Sequence, residues 1–171
     1  MPEENDAVYW AAQAAALKYL GTRLKTAAEV EKKLRDLDFD PDTCAAVLDF
    51  LQRYGYVDDA KVARAYIRDC ARFHPRGWVR LQRELAEKGV APAIITAALE
   101  EARDTGALNE EGAAYALVAK KAPDLRDLRE KRRMASFLER RGYRWETIRR
   151  ALERWEEESG AEGAEEEERK G

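Results

Sequence analysis

The sequence predicts an all-α protein of three tandem three-helix, helix-turn-helix-like repeats that form an elongated curved array. The main observation is an internal repeat: five apolar positions recur three times with offsets of 4, 5, 5 and 4 residues, and the copies start 51 and 53 residues apart. A period of this length is typical of stacked supersecondary units. No segment shows sustained alternation of β-branched and aromatic residues, so we expect no sheet. The repeated positions are Val30, Leu34, Phe39, Cys44 and Leu48; Leu81, Leu85, Val90, Ile95 and Leu99; and Met134, Leu138, Tyr143, Ile148 and Leu152.

The offsets within each copy predict a helix, a tight turn and a second helix. Residues four apart share one helix face, whereas the two offsets of five span a break. In the second and third copies the break is Lys88-Gly89-Val90 and Arg141-Gly142-Tyr143, where glycine suits the left-handed conformation that ends a helix. In the first copy Asp38 takes this place, and aspartate is a poorer but tolerated left-handed residue. Pro41 and Pro92 then indicate the first turn of the next helix.

A further helix precedes each pair. We expect these helices over residues 7–21, 58–73 and 112–121, because apolar residues recur there at helical spacing. Thr26 and Glu29 fit a capping box, and Asp58 or Asp59 can cap the helix that follows Val57. The predicted organisation is a flexible N-terminus at residues 1–6, repeat 1 at 7–54, repeat 2 at 56–103, repeat 3 at 110–155, and a disordered acidic tail at 156–171.

The composition predicts a soluble cytoplasmic protein without catalytic machinery. Charged residues make up 38% of the chain, and no apolar run approaches the roughly 18 residues that span a bilayer. The acidic N-terminus lacks the basic-then-apolar order of a signal peptide. There is one histidine, the two cysteines form no CxxC pair, and no GxxxxGK phosphate loop is present. We therefore expect no enzyme, no metal and no cofactor.

Charge is distributed unevenly along the chain. The net charge of −3 combines −6 over residues 156–171 with +3 over residues 1–155. Residues 125–155 alone carry eleven basic residues against five acidic ones. The tail has little apolar content, which is why we expect disorder there. Its role is either a solubilising end or an autoinhibitory mimic of nucleic-acid charge.

The basic residues are expected to gather on helix faces opposite the apolar positions, at about 100° per residue. A solvated face stabilised by pairs such as Glu130 with Arg133 is the plainer interpretation. Because guanidinium groups suit phosphate and carboxylate alike, we favour an anionic partner for the cluster as a whole. The two faces hold Arg76, Arg80 and Arg83 in the second copy, and Arg129, Arg132, Arg133 and Arg140 in the third.

A set of residues spread over the chain matches a known family. The set comprises Tyr56-Val57-Asp58-Asp59, then Ala63, Tyr66, Gly77, Arg80 and Leu85, then Lys88-Gly89-Val90, and finally Phe137-Leu138-Glu139-Arg140-Arg141-Gly142-Tyr143. It resembles the RecX family of bacterial recombination regulators, over about residues 14–152. The resemblance implies three tandem three-helix repeats that lie in the groove of a RecA filament on single-stranded DNA. It also implies inhibition of RecA ATPase, strand-exchange and coprotease activities, and hence a role in DNA repair and the SOS response.

The expected partner is therefore the RecA filament, with bare DNA as a second candidate, and we expect a monomer that meets no membrane. A DNA-binding protein in its own right is the alternative, since a helix-turn-helix with a basic face enters the major groove. A protein-only helical scaffold is a third interpretation. The candidate filament- or DNA-binding residues are Arg76, Arg80, Arg83, Lys88, Arg129, Arg132, Arg133, Arg140 and Arg144.

Overall fold

The computed structural model describes the backbone of residues 4–121 and 124–168. Within these ranges the chain forms nine helices and no strand, so the all-α prediction is confirmed. The helices fall into three groups of three, as the repeats require. They are α1 Glu4–Leu20, α2 Ala27–Arg35, α3 Pro41–Arg53, α4 Asp59–Phe73, α5 Trp78–Glu87, α6 Pro92–Asp104, α7 Glu110–Lys121, α8 Leu128–Arg140 and α9 Trp145–Glu168.

The five repeated apolar positions form the cores of the repeats. All ten positions in the second and third copies are buried. In the first copy Phe39 and Leu48 are half-buried, and the other three positions are buried. Each buried Leu or Ile contributes about 1.5–3 kcal/mol to folding by leaving water. These positions therefore contribute to the apolar burial that holds each helix pair together.

The turn between the second and third helices is the same in all three repeats. Asp38, Gly89 and Gly142 have φ angles of 63°, 79° and 83°, which confirms the predicted left-handed residues. In each turn the amide of the following residue donates to the carbonyl five residues earlier, as from Val90 to Leu85 at 3.1 Å. These are the bonds of a Schellman motif, which satisfies carbonyls at the end of a helix.

Side-chain caps begin several helices. Thr26 and Glu29 form the predicted capping box at the start of α2. Asp58 caps α4, because its Oδ1 accepts from the amide of Lys61 at 2.9 Å. Asp40 caps α3, and Asp127 caps α8. Caps of this kind contribute about 1 kcal/mol each, and they explain why helices begin at these residues.

The structure differs from the predicted boundaries at both ends of the chain. Helix α1 begins at Glu4, so part of the N-terminus predicted to be flexible is helical, while residues 1–3 lie outside the described residues. Acidic residues favour the first turn of a helix through the helix dipole. Helix α9 continues through most of the tail predicted to be disordered, as far as Glu168. Residues 169–171 lie outside the described residues.

The first residues of the tail make side-chain contacts with the rest of repeat 3. The Nζ of Lys131 lies 2.6 Å from the Oε1 of Glu156. Glu158 accepts hydrogen bonds from the hydroxyl of Tyr115 and from the Nε of Arg154. The indole of Trp155 packs against the core of repeat 3. Low apolar content predicted disorder, but these pairings hold the first three residues of the tail, 156–158, within α9.

The helices group into two compact units. The first comprises residues 1–67 and 84–101, and the second comprises residues 68–83 and 102–171. The core of the first unit is built around Val30, Leu34 and Leu51, and that of the second around Val118 and Leu138. Repeat 2 therefore contributes residues to both units.

Candidate functional site

The start of α2 is joined to repeat 2 inside the first unit. Thr26 is fully buried, and its hydroxyl donates to the carbonyl of Lys88 at 2.7 Å while it accepts from the amide of Glu29. The amide of Ala27 donates to the Oδ1 of Asp59 at 2.9 Å. The first amides of a helix have no partner within the helix. Here repeat 2 supplies a carboxylate to one of them, and this set of bonds is called the first joint.

The second unit contains an equivalent joint at the start of α5. The amide of Trp78 donates to the Oε1 of Glu110 at 2.6 Å. The amide of Gly77 donates to the carbonyl of Arg141 at 2.9 Å. Trp78 and Glu110 each lie 51 residues after their counterparts in the first joint, Ala27 and Asp59. The protein therefore uses one type of joint twice, and this second set of bonds is called the second joint.

Glycine permits the close approach at both joints. A Cβ atom on Gly89 would overlap the side chain of Ala28, and one on Gly142 would overlap Arg80. A Cβ on Gly77 would overlap the backbone of Gly142. The glycines at positions 89 and 142 thus have two functions, since they also adopt the left-handed backbone. The sequence pattern predicts only the second of these functions, the left-handed residue at the end of each helix.

Lys88 and Arg144, two of the predicted binding residues, lie at these joints. The Nζ of Lys88 is 3.6 Å from Glu29 and 5.6 Å from the ring centre of Tyr66. The guanidinium of Arg144 donates to Glu110 at 2.9 Å and lies 4.8 Å from the ring centre of Trp78. These cations already have partners within the chain.

Three further predicted binding residues lie at or beside α5. Arg80 is half-buried, with its backbone and Cβ against Gly142. Arg76 is half-buried and Arg83 is exposed, and both interact with other groups of the chain. In the second copy, the basic helix face that the sequence predicts is therefore partly occupied by contacts within the protein.

The remaining four predicted residues form an exposed cationic surface on α8. Met134 and Leu138 on the same helix are buried, which turns the basic residues outward. Only Arg133 is paired in the part of the chain that the structure describes, at 3.3 Å from Glu130. We call this group the α8 basic surface, and it consists of Arg129, Arg132, Arg133 and Arg140.

A cleft of about 390 Å³ opens beside the α8 basic surface. Phe137 lies between two cations there, with the Nζ of Lys121 at 4.6 Å and the guanidinium of Arg141 at 4.9 Å from its ring centre. Three cations and one carboxylate line the cleft, so its charge suits an anionic group. The lining residues are Lys121, Glu130, Arg133, Met134, Phe137 and Arg140.

The arginines of α9, in contrast, are neutralised. Arg149 pairs with Glu153, Arg150 with Glu146, and Arg154 with Glu158, at 2.8–2.9 Å. Hydrogen bonds from Tyr115 and Arg154 lower the pKa of the Glu158 carboxyl. The basic excess of repeat 3 is therefore available mainly on α8.

The described residues contain little that resembles catalytic chemistry. No group of three His, Cys, Asp or Glu side chains among them is arranged to hold a metal ion. Both cysteines are buried, and burial raises the pKa of the Cys44 thiol. No described helix is both long and apolar enough to cross a membrane.

The carboxylates of the two joints are not predicted from the sequence pattern. The sequence favours Asp58 or Asp59 as a cap of α4, whereas the Oδ1 of Asp59 accepts from the amide of Ala27 at the start of α2. Glu110 was not singled out, although it is buried. The available signal was their spacing of 51 residues, which equals the distance between the first two copies of the repeat.

The chain matches family models over all three repeats. The first, second and third three-helix domains of RecX match residues 12–51, 58–99 and 109–152. A regulatory protein RecX from Clostridium acetobutylicum is 31% identical over 160 residues, which cover 88% of this chain and 70% of that protein. A regulatory protein RecX from Pelodictyon phaeoclathratiforme is 35% identical over 140 residues, covering 80% of this chain and 84% of that protein.

Solved structures show the same fold. The crystal structure of RecX from Lactobacillus salivarius superposes with a TM-score of 0.79 at 22% identity, covering 88% of this chain and 97% of that one. A second RecX crystal structure gives a TM-score of 0.75. The resemblance predicted from the residues is confirmed, and the relatives are regulatory proteins by name. The chain therefore belongs to the RecX family.

Proposed function

We propose that this protein binds the groove of the RecA filament on single-stranded DNA and inhibits its ATPase, strand-exchange and coprotease activities. Membership of a family of regulatory proteins supports a binding role rather than a catalytic one. The observation that carries the proposal is the α8 basic surface, where four exposed arginines have a single ion pair among the described residues. Such a surface suits acidic protein groups and DNA phosphates.

The three tandem repeats support binding to a repeating partner. A filament presents the same surface on each protomer, and a protein of several repeats can contact more than one protomer. Individually weak contacts then combine, because the first contact raises the effective concentration of the next. Exposed arginines with modest individual contributions are sufficient for such binding.

Inhibition follows from the same contacts. A protein that bridges protomers hinders the relative movements that ATP hydrolysis and strand exchange require. A bound groove also excludes duplex DNA and the repressor substrate of the coprotease. No chemical step by this chain is needed.

Two observations make a direct helix-turn-helix DNA reader less suitable. The second helix of a helix-turn-helix is the one that contacts bases, and in the first two repeats these helices, α3 and α6, carry no basic side chain in their first two turns. The arginines along α9 are paired with glutamates one turn away. A recognition helix needs exposed donors at its start that can reach base edges.

The proposal is tested by neutralising the α8 basic surface with Arg129→Gln, Arg132→Gln, Arg133→Gln and Arg140→Gln together. A control variant removes the same charge by replacing Lys32, Arg35, Arg53 and Arg68 with glutamine, all of them exposed and paired with carboxylates. We expect the α8 variant to require at least about tenfold more protein to inhibit strand exchange, and the control variant to inhibit normally. Equal inhibition by both folded variants would contradict the proposal.

A further inference from the structure

The segment Tyr56-Val57-Asp58-Asp59 contains one residue whose large side chain remains mostly exposed. Val57 is part of the core of the first unit. Asp58 caps α4, and Asp59 binds the amide of Ala27 in the first joint. Tyr56, in contrast, leaves 55% of its surface exposed. Tyr56 directly precedes these three residues, and an exposed aromatic side chain indicates a contact outside the chain when it belongs to a larger exposed patch.

Tyr56 belongs to an exposed group of aromatic rings. The ring of Phe50 lies nearly parallel to that of Tyr56, with the ring centres 6.2 Å apart and an angle of 19°. Phe50 also contacts Tyr54, at 4.7 Å between ring centres. Tyr54 is 66% exposed, so both tyrosine rings remain accessible on a base formed by the half-buried Phe50.

Three basic side chains line a cleft of about 360 Å³ together with Tyr56. Arg23, Lys25 and Lys61 line this cleft, and none of them has a carboxylate within 4 Å among the residues that the structure describes. The Nζ of Lys25 lies 4.9 Å from the ring centre of Tyr19, a contact that leaves its charge without an anionic partner. Asp58, the one carboxylate of the lining, is engaged in capping α4. We call this surface the Tyr56 cleft, and it is defined by Arg23, Lys25, Tyr56 and Lys61. Tyr54 lies outside the lining and is joined to Tyr56 through the ring of Phe50.

We propose that the Tyr56 cleft binds an unpaired stretch of nucleic acid, whose bases stack on Tyr54 and Tyr56 and whose phosphates lie against Arg23, Lys25 and Lys61. Aromatic faces beside unpaired cations are the combination by which proteins hold single strands without reading their sequence. A duplex cannot stack its bases on these tyrosine rings, because its base faces are already stacked on one another. The site goes beyond the proposed function, which depends on the α8 basic surface.

Stacking is tested by anisotropy with the full-length protein and a fluorescent 20-nucleotide oligo(dT). Tyr54→Leu with Tyr56→Leu should weaken binding by at least about 25-fold, because the loss of each base stack lowers the affinity by at least about fivefold. The pair Tyr54→Phe and Tyr56→Phe should bind like the wild type, because the rings remain. Trp10→Leu is the matched control, since Trp10 is 59% exposed but does not line the cleft. An oligonucleotide of the same length with abasic sites and a 20-bp duplex should both bind more weakly.

The cations are tested by the salt dependence of the same binding. Arg23→Gln, Lys25→Gln and Lys61→Gln together should reduce the slope of log affinity against log salt by about 2, since each phosphate contact on a single strand contributes about 0.7. Lys32→Gln, Arg35→Gln and Arg53→Gln remove the same charge from paired positions and should leave the slope unchanged. The same binding measurement with oligo(rU) of equal length identifies whether the cleft prefers RNA or DNA.

The inference is overturned if the leucine variant is folded by circular dichroism and binds oligo(dT) like the wild type, or if abasic and normal oligonucleotides bind equally. Failure to bind either oligo(dT) or oligo(rU) would also overturn it. Bare oligonucleotides contain no RecA, so these results are independent of filament inhibition. Loss of oligonucleotide binding with inhibition of strand exchange retained by the leucine variant would support two separate sites.

Discussion

Replacing Glu110 by alanine should weaken the second joint by a predictable amount. Glu110 is buried, and it accepts from the amide of Trp78 at 2.6 Å and from the guanidinium of Arg144 at 2.9 Å. The alanine variant leaves the half-buried amide of Trp78 without its acceptor, which costs about 1–3 kcal/mol. Loss of the pair with the partly exposed Arg144 adds at most about 1 kcal/mol. We therefore expect unfolding free energy to fall by about 2–3 kcal/mol.

Two further variants separate the hydrogen bond from the charge. Glu110→Gln retains an oxygen that can accept from Trp78, so it should cost less than about 1 kcal/mol. Glu111→Ala is the matched control, because the neighbouring carboxylate is exposed and lies 3.5 Å from Arg150. It should change the stability by no more than about 0.5 kcal/mol.

Urea denaturation followed by circular dichroism measures these differences, and thermal melting provides a second measure. For a chain of 171 residues, the expected loss for Glu110→Ala corresponds to a fall of about 5–10 °C in melting temperature. A cost below about 0.5 kcal/mol for Glu110→Ala would refute the joint as a source of stability. A glutamine variant as unstable as the alanine variant would refute the assignment to the hydrogen bond.

Three other changes test the core, a buried hydroxyl and the tail. Leu85→Ala should cost about 2–5 kcal/mol in urea denaturation because Leu85 is fully buried, and a cost under about 0.5 kcal/mol would contradict the repeat core. Burial raises the pKa of the Tyr143 hydroxyl from 10.0 to about 12. The neutral hydroxyl therefore makes its full contribution to stability below pH 10, and this contribution is lost as the pH rises from 10 to 12. Tyr143→Phe should remove roughly 3 kcal/mol of this loss of stability at alkaline pH. The same variant should not destabilise the protein at neutral pH, because the hydroxyl has no hydrogen-bond partner among the described residues. Truncation after Ser159 should leave the melting temperature unchanged, whereas truncation after Trp155 should lower it by removing the contacts of the first tail glutamates.

The repeat fold could be predicted because its determinants are local. Five apolar positions with fixed offsets define the buried faces, and residues such as Gly89 and Asp38 mark the left-handed turns. The capping box at Thr26 also depends on residues three apart. Each of these features involves neighbours within one or two turns of helix, where spacing along the chain determines spacing in space.

The candidate site was harder to predict because it depends on distant pairings. The joints link residues 62 and 32 apart, as in Thr26 with Lys88 and Ala27 with Asp59. Periodicity identifies which face of a helix is buried but not which neighbour covers it. The charge pattern therefore predicts Arg144 and Lys88 as binding residues, although in the fold they pair with Glu110 and Glu29. The four arginines of the α8 basic surface remain a prediction.

The central claim is tested most directly by co-sedimentation of the full-length protein with RecA filaments assembled on single-stranded DNA, compared with RecA alone and with the same DNA alone. We expect tight binding to the filament, weaker binding to each component, and loss of filament binding as salt rises, because the basic surface acts through screened charge. The variant of the α8 basic surface should be depleted from the filament pellet, and the control variant should not. Binding to DNA alone as tight as to the filament would contradict the account.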